Sequence, residues 1–240
     1  MKPPSGQLHI ESTPKRVRVL FNGTFVVDTC EARLVWEKPY YPVYFFGHQD
    51  LPEKYLQSTG SGSSDEGTVY NLVVGSRHAP SSVVKYDGDH ALAGLLKIMF
   101  GAMDAWFEEE EEVFVHPKDP YKRVDVLQSA REVRVEVNGI EVARTVKPKL
   151  LFETSLPVRT YIPKTDCRLD LLVPSALTTQ CPYKGVANYY DVHLPDGQTI
   201  RDVVWWYRAP LPECESIKGY VAFYDEKVDV WVDGKKQART

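Results

Sequence analysis

The chain contains no apolar run near the roughly 20 residues that a membrane-spanning helix needs, so no membrane partner is expected. Cysteine is scarce. There are four, Cys30, Cys167, Cys181 and Cys214, and no two form a C-x-x-C pair, so neither a zinc knuckle nor a thioredoxin-type redox site is encoded. The six histidines never stand two or four residues apart, and no metal ligand set is expected from them. Basic excess is missing too: the net charge of -4 argues against a nucleic-acid backbone as partner. The opening residues, Met1 to Gln7, carry no apolar core of an export signal. Together these absences predict a soluble cytoplasmic protein with free thiols, no metal and no cofactor. Asn22-Gly23-Thr24 then reads as a turn and not as a glycan acceptor.

What is present is enough to fold. Of the 240 residues 43% are hydrophobic and 12% aromatic, the composition of a globular chain of between one and two domains. The chain also repeats itself. Arg16 to Gly23 (RVRVLFNG) returns as Glu132 to Gly139 (EVRVEVNG), 116 positions further on. Each copy alternates apolar and polar residues into an Asn-Gly pair, the pattern of a strand entering a type I′ hairpin. Leu34 to Glu37 matches Leu150 to Glu153, and Tyr44-Phe45-Phe46 with Asp50 matches Thr160-Tyr161-Ile162 with Asp166. The last pair of segments reads as Met103 to Glu108 against Val228 to Asp233. Four matches in one order indicate duplication. The expected organisation is a first domain over 1–112, an ordered connector over 113–127 and a second domain over 128–240.

Most local signals are β. Asp87-Gly88, Asp196-Gly197 and Asp233-Gly234 separate extended runs, and Tyr189 to Leu194 and Val203 to Tyr207 are rich in residues that suit a pleated surface. One stretch, Asp89 to Met99, places Leu92, Leu95, Leu96 and Met99 at helical spacing and predicts a helix. Residues 57–67 are rich in glycine and serine and predict a flexible loop. The acidic run Glu108 to Glu112 reads as a solvated strand end.

The copies differ in one chemically telling place. Thr178 to Gly185 (TTQCPYKG) in the second copy corresponds to Ser58 to Asp65 (STGSGSSD) in the first. A proline-fixed turn that presents a thiol, a phenol and an ammonium is equipped for chemistry, whereas a Gly/Ser run is a spacer. Cys181 reads either as a nucleophile whose thiolate Lys184 favours, or as an inward-packed residue of a tight turn. Tyr183 and Lys184 read as an acid/base or oxyanion-binding pair, or as a plain surface cap. Glu153 and Asp166 are candidate bases, or carboxylates that fasten strand ends. Tyr161, Tyr189, Trp205, Tyr207 and Tyr224 are candidate ligand-binding aromatics, with a packed core as the alternative. Asp104 and Asp229, which recur, read as structural.

Thr179-x-Cys-Pro-Tyr-Lys-Gly185, with Gly219 to Tyr224 and Val228 to Trp231, resembles the family catalogued as domain of unknown function 427, which is also filed under a nucleotidyltransferase-like label. Glu153, Pro157, Tyr161, Pro163 and Asp166, and Trp205 with Tyr207 and Pro210, fit further stretches of that family. The segment Glu111 to Leu127 resembles the linker of its tandem members. The resemblance implies a mainly β architecture of two tandem β-tent-like domains, here without the C-x-x-C zinc ligands common in that architecture. It implies no agreed activity. The sequence contains neither a P-loop nor a G-x-G-x-x-G, so nothing in it supports the nucleotidyltransferase label.

The functional expectation is a small-molecule site in the second domain, used for cofactor-independent acid/base chemistry such as isomerisation, cyclisation or hydration. Lys184 and Tyr183 would polarise the substrate, Glu153 or Asp166 would act as base, and Trp205 and Tyr207 would hold it. A non-catalytic binding or interaction module is the alternative, and a nucleotide-handling enzyme ranks third.

Overall fold

Alternating sequence makes alternating faces, and almost every element is a strand. The computed structural model describes residues 8–60, 67–88 and 91–239. They divide into two domains, Met1–Tyr121 and Lys122–Thr240. In the first, the strands are β1 (His9–Ser12), β2 (Val17–Phe21), β3 (Thr24–Thr29), β4 (Arg33–Lys38), β5 (Tyr41–Gly47), β6 (Leu56–Ser58), β7 (Thr68–Val74), β8 (Arg77–Lys85), β9 (Leu95–Ile98), β10 (Ala105–Glu108) and β11 (Glu111–Val113). They form a seven-stranded sheet in the order β1-β4-β5-β9-β8-β7-β6 and a four-stranded sheet in the order β11-β10-β2-β3.

The second domain repeats this plan strand for strand. Its elements are β12 (Val124–Gln128), β13 (Val133–Val137), β14 (Ile140–Thr145), β15 (Lys149–Glu153), β16 (Arg159–Pro163), β17 (Leu172–Cys181), β18 (Gly185–His193), β19 (Thr199–Tyr207), β20 (Tyr220–Phe223), β21 (Asp229–Val232) and β22 (Lys235–Lys236). The sheet orders are β12-β15-β16-β20-β19-β18-β17 and β14-β13-β21-β22. The protein is therefore mainly β, with two tandem domains. Among the described residues its helices are short 3-10 turns, and no helix is long and apolar enough to cross a membrane. Both Asn-Gly pairs turn as their sequence predicts: Asn22 and Gly23 take φ of 49° and 71°, and Asn138 and Gly139 take 50° and 80°.

Each larger sheet buries both faces. One face packs on the smaller sheet, through Val17, Val19, Tyr44, Phe46 and Trp106 in the first domain and through Val133, Val135, Ile162, Val204 and Phe223 in the second. The opposite face carries a second cluster, built on Val35, Phe45, Val84 and Tyr86 in the first domain and on Leu151, Tyr161, Tyr189, Trp205 and Tyr207 in the second.

Three sequence expectations are corrected, at the helix, the Gly/Ser segment and the last repeat. The helix over Asp89–Met99 does not form: Leu95–Ile98 is β9, a central strand bonded to β5 and β8, preceded by a turn in which Gly94 takes φ of +80°. Spacing of 3 and 4 among leucines is also compatible with a turn followed by a strand, and the left-handed glycine decides the matter. Asp89 and His90 lie outside the described residues. Of the Gly/Ser segment, Gln57 and Ser58 lie in β6, and residues 61–66 are outside the described set. Within the segment 113–127, Val113 ends β11 and residues 124–127 lie in β12, whose Val124 and Val126 pack on the outer cluster. Finally, the last repeat is out of register by one residue. Trp106 lies opposite Val19 while Val230 lies opposite Val135, so Val230, and not Trp231, is the counterpart of Trp106.

Candidate functional site

Strand register collects the candidate side chains. Successive residues of a strand point to opposite faces, so Trp205 and Tyr207 of β19 join Tyr161 of β16 and Tyr189 of β18 on the outer face, while Tyr190 and Trp206 turn toward the other. Tyr189 stands opposite Trp205, Trp205 opposite Ala222, and Ala222 opposite Tyr161. Alanine at that crossing leaves room between the rings. The result is a cavity of about 210 Å³ lined by Leu151, Glu153, Leu156, Pro157, Arg159, Tyr161, Cys181, Lys184, Tyr189, Trp205, Tyr207 and Tyr224. In the first domain Lys97 takes the place of Ala222, opposite Phe45, and its Nζ lies 2.7 Å from the Glu37 carboxylate.

Lys184 reaches the cavity from the turn between β17 and β18. Cys181 pairs with Gly185 across this turn, and Gly185 takes φ of +92°, a conformation that side chains resist. A Cβ at Gly185 would stand 3.3 Å from the Ala209 carbonyl, so the turn sits close on the chain before the turn Pro212–Ile217. From there Lys184 Nζ donates to Glu153 Oε2 at 2.6 Å, and Lys122 Nζ stands 3.4 Å from Oε1. The side chains of Lys184 and Glu153 are only 13% and 6% exposed, so the pair is screened little by solvent.

The remaining polar groups form short chains. Trp205 Nε1 donates to the Tyr161 hydroxyl at 3.2 Å, which leaves the phenolic proton of Tyr161 to be donated in turn. The Tyr189 hydroxyl lies 2.8 Å from Thr179 Oγ1 and 3.4 Å from the Tyr224 hydroxyl. Among the described residues no hydrogen bond holds the Tyr207 hydroxyl. At the lip, Arg159 lies over the Trp205 ring at 5.6 Å and donates two hydrogen bonds to Glu226, at 2.6 and 3.2 Å.

Burial pushes the phenols of Tyr161, Tyr207 and Tyr224 far above the ordinary tyrosine value. For Lys184 burial works against the charge, but the neighbouring Cys181 and Glu153 outweigh it and hold the ammonium above its usual value. At neutral pH the cavity therefore presents an ammonium and protonated phenols, all donors. The carboxylate among the lining groups is Glu153, which accepts from Lys184. Such a set suits a ligand that carries a carbonyl or carboxylate oxygen.

Two candidates lie elsewhere. Tyr183 is buried with its ring 5.5 Å below Lys122 Nζ and does not line the cavity. Asp166 accepts from Thr145 Oγ1 at 2.6 Å and faces Lys147 at 4.0 Å, so it fastens the 3-10 turn Lys164–Asp166 to the end of β14. Sequence reasoning missed Arg159, Leu156, Pro157 and Lys122. Arg159 was within reach, since it stands two residues before Tyr161 and so shares its face. A larger cavity of about 420 Å³ lies on the opposite face of the same sheet, lined by Val133, Leu150, Thr160, Asp225 and Val230 among others. Among the described residues no group of three or more His, Cys, Asp or Glu side chains is placed to hold a metal ion.

Two domains of identical strand order, each a seven-stranded sheet packed on a four-stranded one, define a tandem β protein. The family model described as Domain of unknown function (DUF427), which carries an NTP-transferase label, matches residues 9–109 and again residues 125–234. The chain belongs to this family, with one copy in each domain. A search of curated proteins finds no match.

Proposed function

We propose that the second domain binds a small molecule bearing a carbonyl or carboxylate in the tyrosine-lined cavity and catalyses proton transfer on it without a cofactor. The observation that carries this reading is the Lys184–Glu153 pair, 2.6 Å apart, opening into a cavity whose phenols are protonated. Lys184 and Tyr161 polarise the oxygen of the ligand, Glu153 takes the proton, and Trp205 and Tyr207 flank the ring or chain. Tyr161 takes the polarising part that the sequence suggests for Tyr183. The volume of about 210 Å³ is room for about seven waters, so the ligand is small or enters by one end. Isomerisation, cyclisation and hydration all fit this group set.

A thermal-shift screen of small carboxylates and carbonyl compounds tests the proposal. A ligand at 100 times its dissociation constant adds about 2.7 kcal/mol, and each kcal/mol moves the midpoint by roughly 2–4 °C at this size. Hits should weaken in Lys184→Met and in Tyr161→Phe, and turnover of a hit should vanish in Glu153→Gln. Hits indifferent to all three substitutions would sink the assignment.

One observation favours binding without turnover. The first domain holds the equivalent Glu37 with Lys97, brought from a different strand, so a Glu–Lys pair at this place also serves as a structural tie. A ligand that binds with Lys184 dependence but is recovered chemically unchanged would select that reading. Nucleotide handling ranks below both, and its mark would be magnesium-dependent release of pyrophosphate.

A further inference from the structure

In the first domain one aromatic stack closes the space between the two sheets. The Trp106 ring lies 4.7 Å from that of Phe100 and 5.6 Å from that of Tyr44, and Trp106 and Tyr44 are almost wholly buried. Strand register identifies the counterparts in the second domain. Tyr44 stands opposite Leu34, as Thr160 stands opposite Leu150. Trp106 stands opposite Val19, as Val230 stands opposite Val135. Phe100 follows Ile98 by two residues and Asp225 follows Phe223 by two, and Ile98 and Phe223 hold matching places opposite Val83 and Val204. Tyrosine, phenylalanine and tryptophan have become threonine, aspartate and valine.

Those three residues all line the cavity of about 420 Å³. Its size falls within the roughly 300–1,000 Å³ of small-molecule sites. Phe152, Pro157 and Val158 of its lining are exposed, so the space opens to solvent and a small molecule can enter it. Val133, Val228 and Leu150 make the walls apolar, and the group that fills the same space in the first domain is a stack of rings. One carboxyl interrupts the apolar wall. Arg159 stands 3.7 Å from Asp225 but gives its hydrogen bonds to Glu226, and no described residue donates one to Asp225. Burial accordingly pushes Asp225 up to about 6. Arg131, also in the lining, is matched by Asp233 at 2.8 Å, so among the described residues the lining holds no spare cation.

We infer that this cavity of the second domain binds a small aromatic amine, with its ring in the place of the missing indole and its ammonium on Asp225. The site lies across the sheet from the tyrosine-lined cavity, with Pro157 lining both, and does not depend on the reading given to that cavity.

Calorimetric titration of the full chain near neutral pH with tryptamine, indole and indole-3-propionate tests this. Tryptamine should bind saturably and at least about tenfold tighter than indole-3-propionate, a difference of about 1.4 kcal/mol. Asp225→Asn should weaken tryptamine by about tenfold or more and leave indole unchanged. Val230→Trp, which restores the ring of the first domain, should abolish binding of all three. Lys184→Met should leave tryptamine binding as it is, which separates this site from the other. Should Val230→Trp fail to fold, the Asp225→Asn comparison decides alone. Equal affinity for the amine and the acid, an Asp225→Asn variant that binds tryptamine normally, or no saturable binding of tryptamine would each overturn the inference.

Discussion

Trp106 and Val230 hold the same place in their domains, one opposite Val19 and the other opposite Val135, yet one is an almost wholly buried ring of its core and the other lines an open cavity. The same backbone plan thus supports a filled and an unfilled version of one space. If the ring is what fills it, Trp106→Val should open a comparable void in the first domain. Large-to-small changes of buried aromatics cost about 3–5 kcal/mol. Denaturant unfolding followed on the first domain should register a loss of that order. A loss under about 1 kcal/mol would mean that the surroundings collapse into the space, and the contrast between the domains would then lose its meaning.

The carboxyl in the open version has a pH signature. Asp225 is raised to about 6 by burial, against the pull of Arg159 and with the push of Glu226, while an unfolded aspartate titrates near 3.9. The folded state therefore holds the proton more tightly than the unfolded state. Folding is weakened by this group as pH rises between those two values, and the full penalty is present above the higher one. Asp225→Asn removes the penalty, so its stability relative to the parent should start level near pH 4 and climb until about pH 6. A difference that stays flat across this window would show that Asp225 is not desolvated.

Much of this was legible in the sequence because period-2 alternation and Asn-Gly turns are local signals. They disclosed the strands and the duplication, whereas the face shared by Tyr161, Tyr189, Trp205 and Tyr207 depends on the pairing of β16, β18, β19 and β20. The wrong helix over Asp89–Met99 arose because the spacing of Leu92, Leu95 and Leu96 is helical, whereas the chain makes a turn with the left-handed Gly94 and then enters a strand. Asp166 and Tyr183 looked chemical by residue type, but their partners, Thr145 and Lys122, are distant in sequence. The larger cavity was invisible because it consists of missing bulk. Recognising it required the true register of Val230, and the turn before β21 is one residue shorter than its counterpart before β10.

The Lys184–Glu153 pair should behave as a buried ion pair. Removing one partner leaves a desolvated charge, which typically costs about 3–5 kcal/mol, whereas removing both is far milder. Lys122 at 3.4 Å shields Glu153 in part, so Lys184→Met should fall at the lower end of that range. The double variant Lys184→Met/Glu153→Gln should be more stable than Lys184→Met alone. Additive losses in a double-mutant cycle would show that the two groups do not interact.

The thiols should separate by burial. Cys30 is exposed, whereas burial lifts Cys214 to about 11 and Cys167 to about 12, so neither holds much of the reactive thiolate. Iodoacetamide at mildly alkaline pH should label Cys30 first and leave Cys167 and Cys214 intact until the protein unfolds. Peptide mapping reads the order directly. Labelling of Cys214 as fast as Cys30 in the native protein would contradict its place in the outer cluster of the second domain.

Gly185 connects the backbone of the Cys-Pro-Tyr-Lys-Gly turn to the position of the Lys184 ammonium. Its φ of +92° and the 3.3 Å approach to the Ala209 carbonyl both penalise a Cβ, and such strained positions cost about 1–3 kcal/mol. Gly185→Ala should therefore lower stability by that amount. Leu211 N donates to the Lys184 carbonyl at 3.2 Å, so relief of the strain also shifts Lys184 away from Glu153. The variant should accordingly lose affinity for any ligand of the tyrosine-lined cavity beyond what its stability explains, while tryptamine binding across the sheet stays intact. If both affinities survive, the turn tolerates a side chain without moving the lysine, and the geometry of the pair does not depend on Gly185.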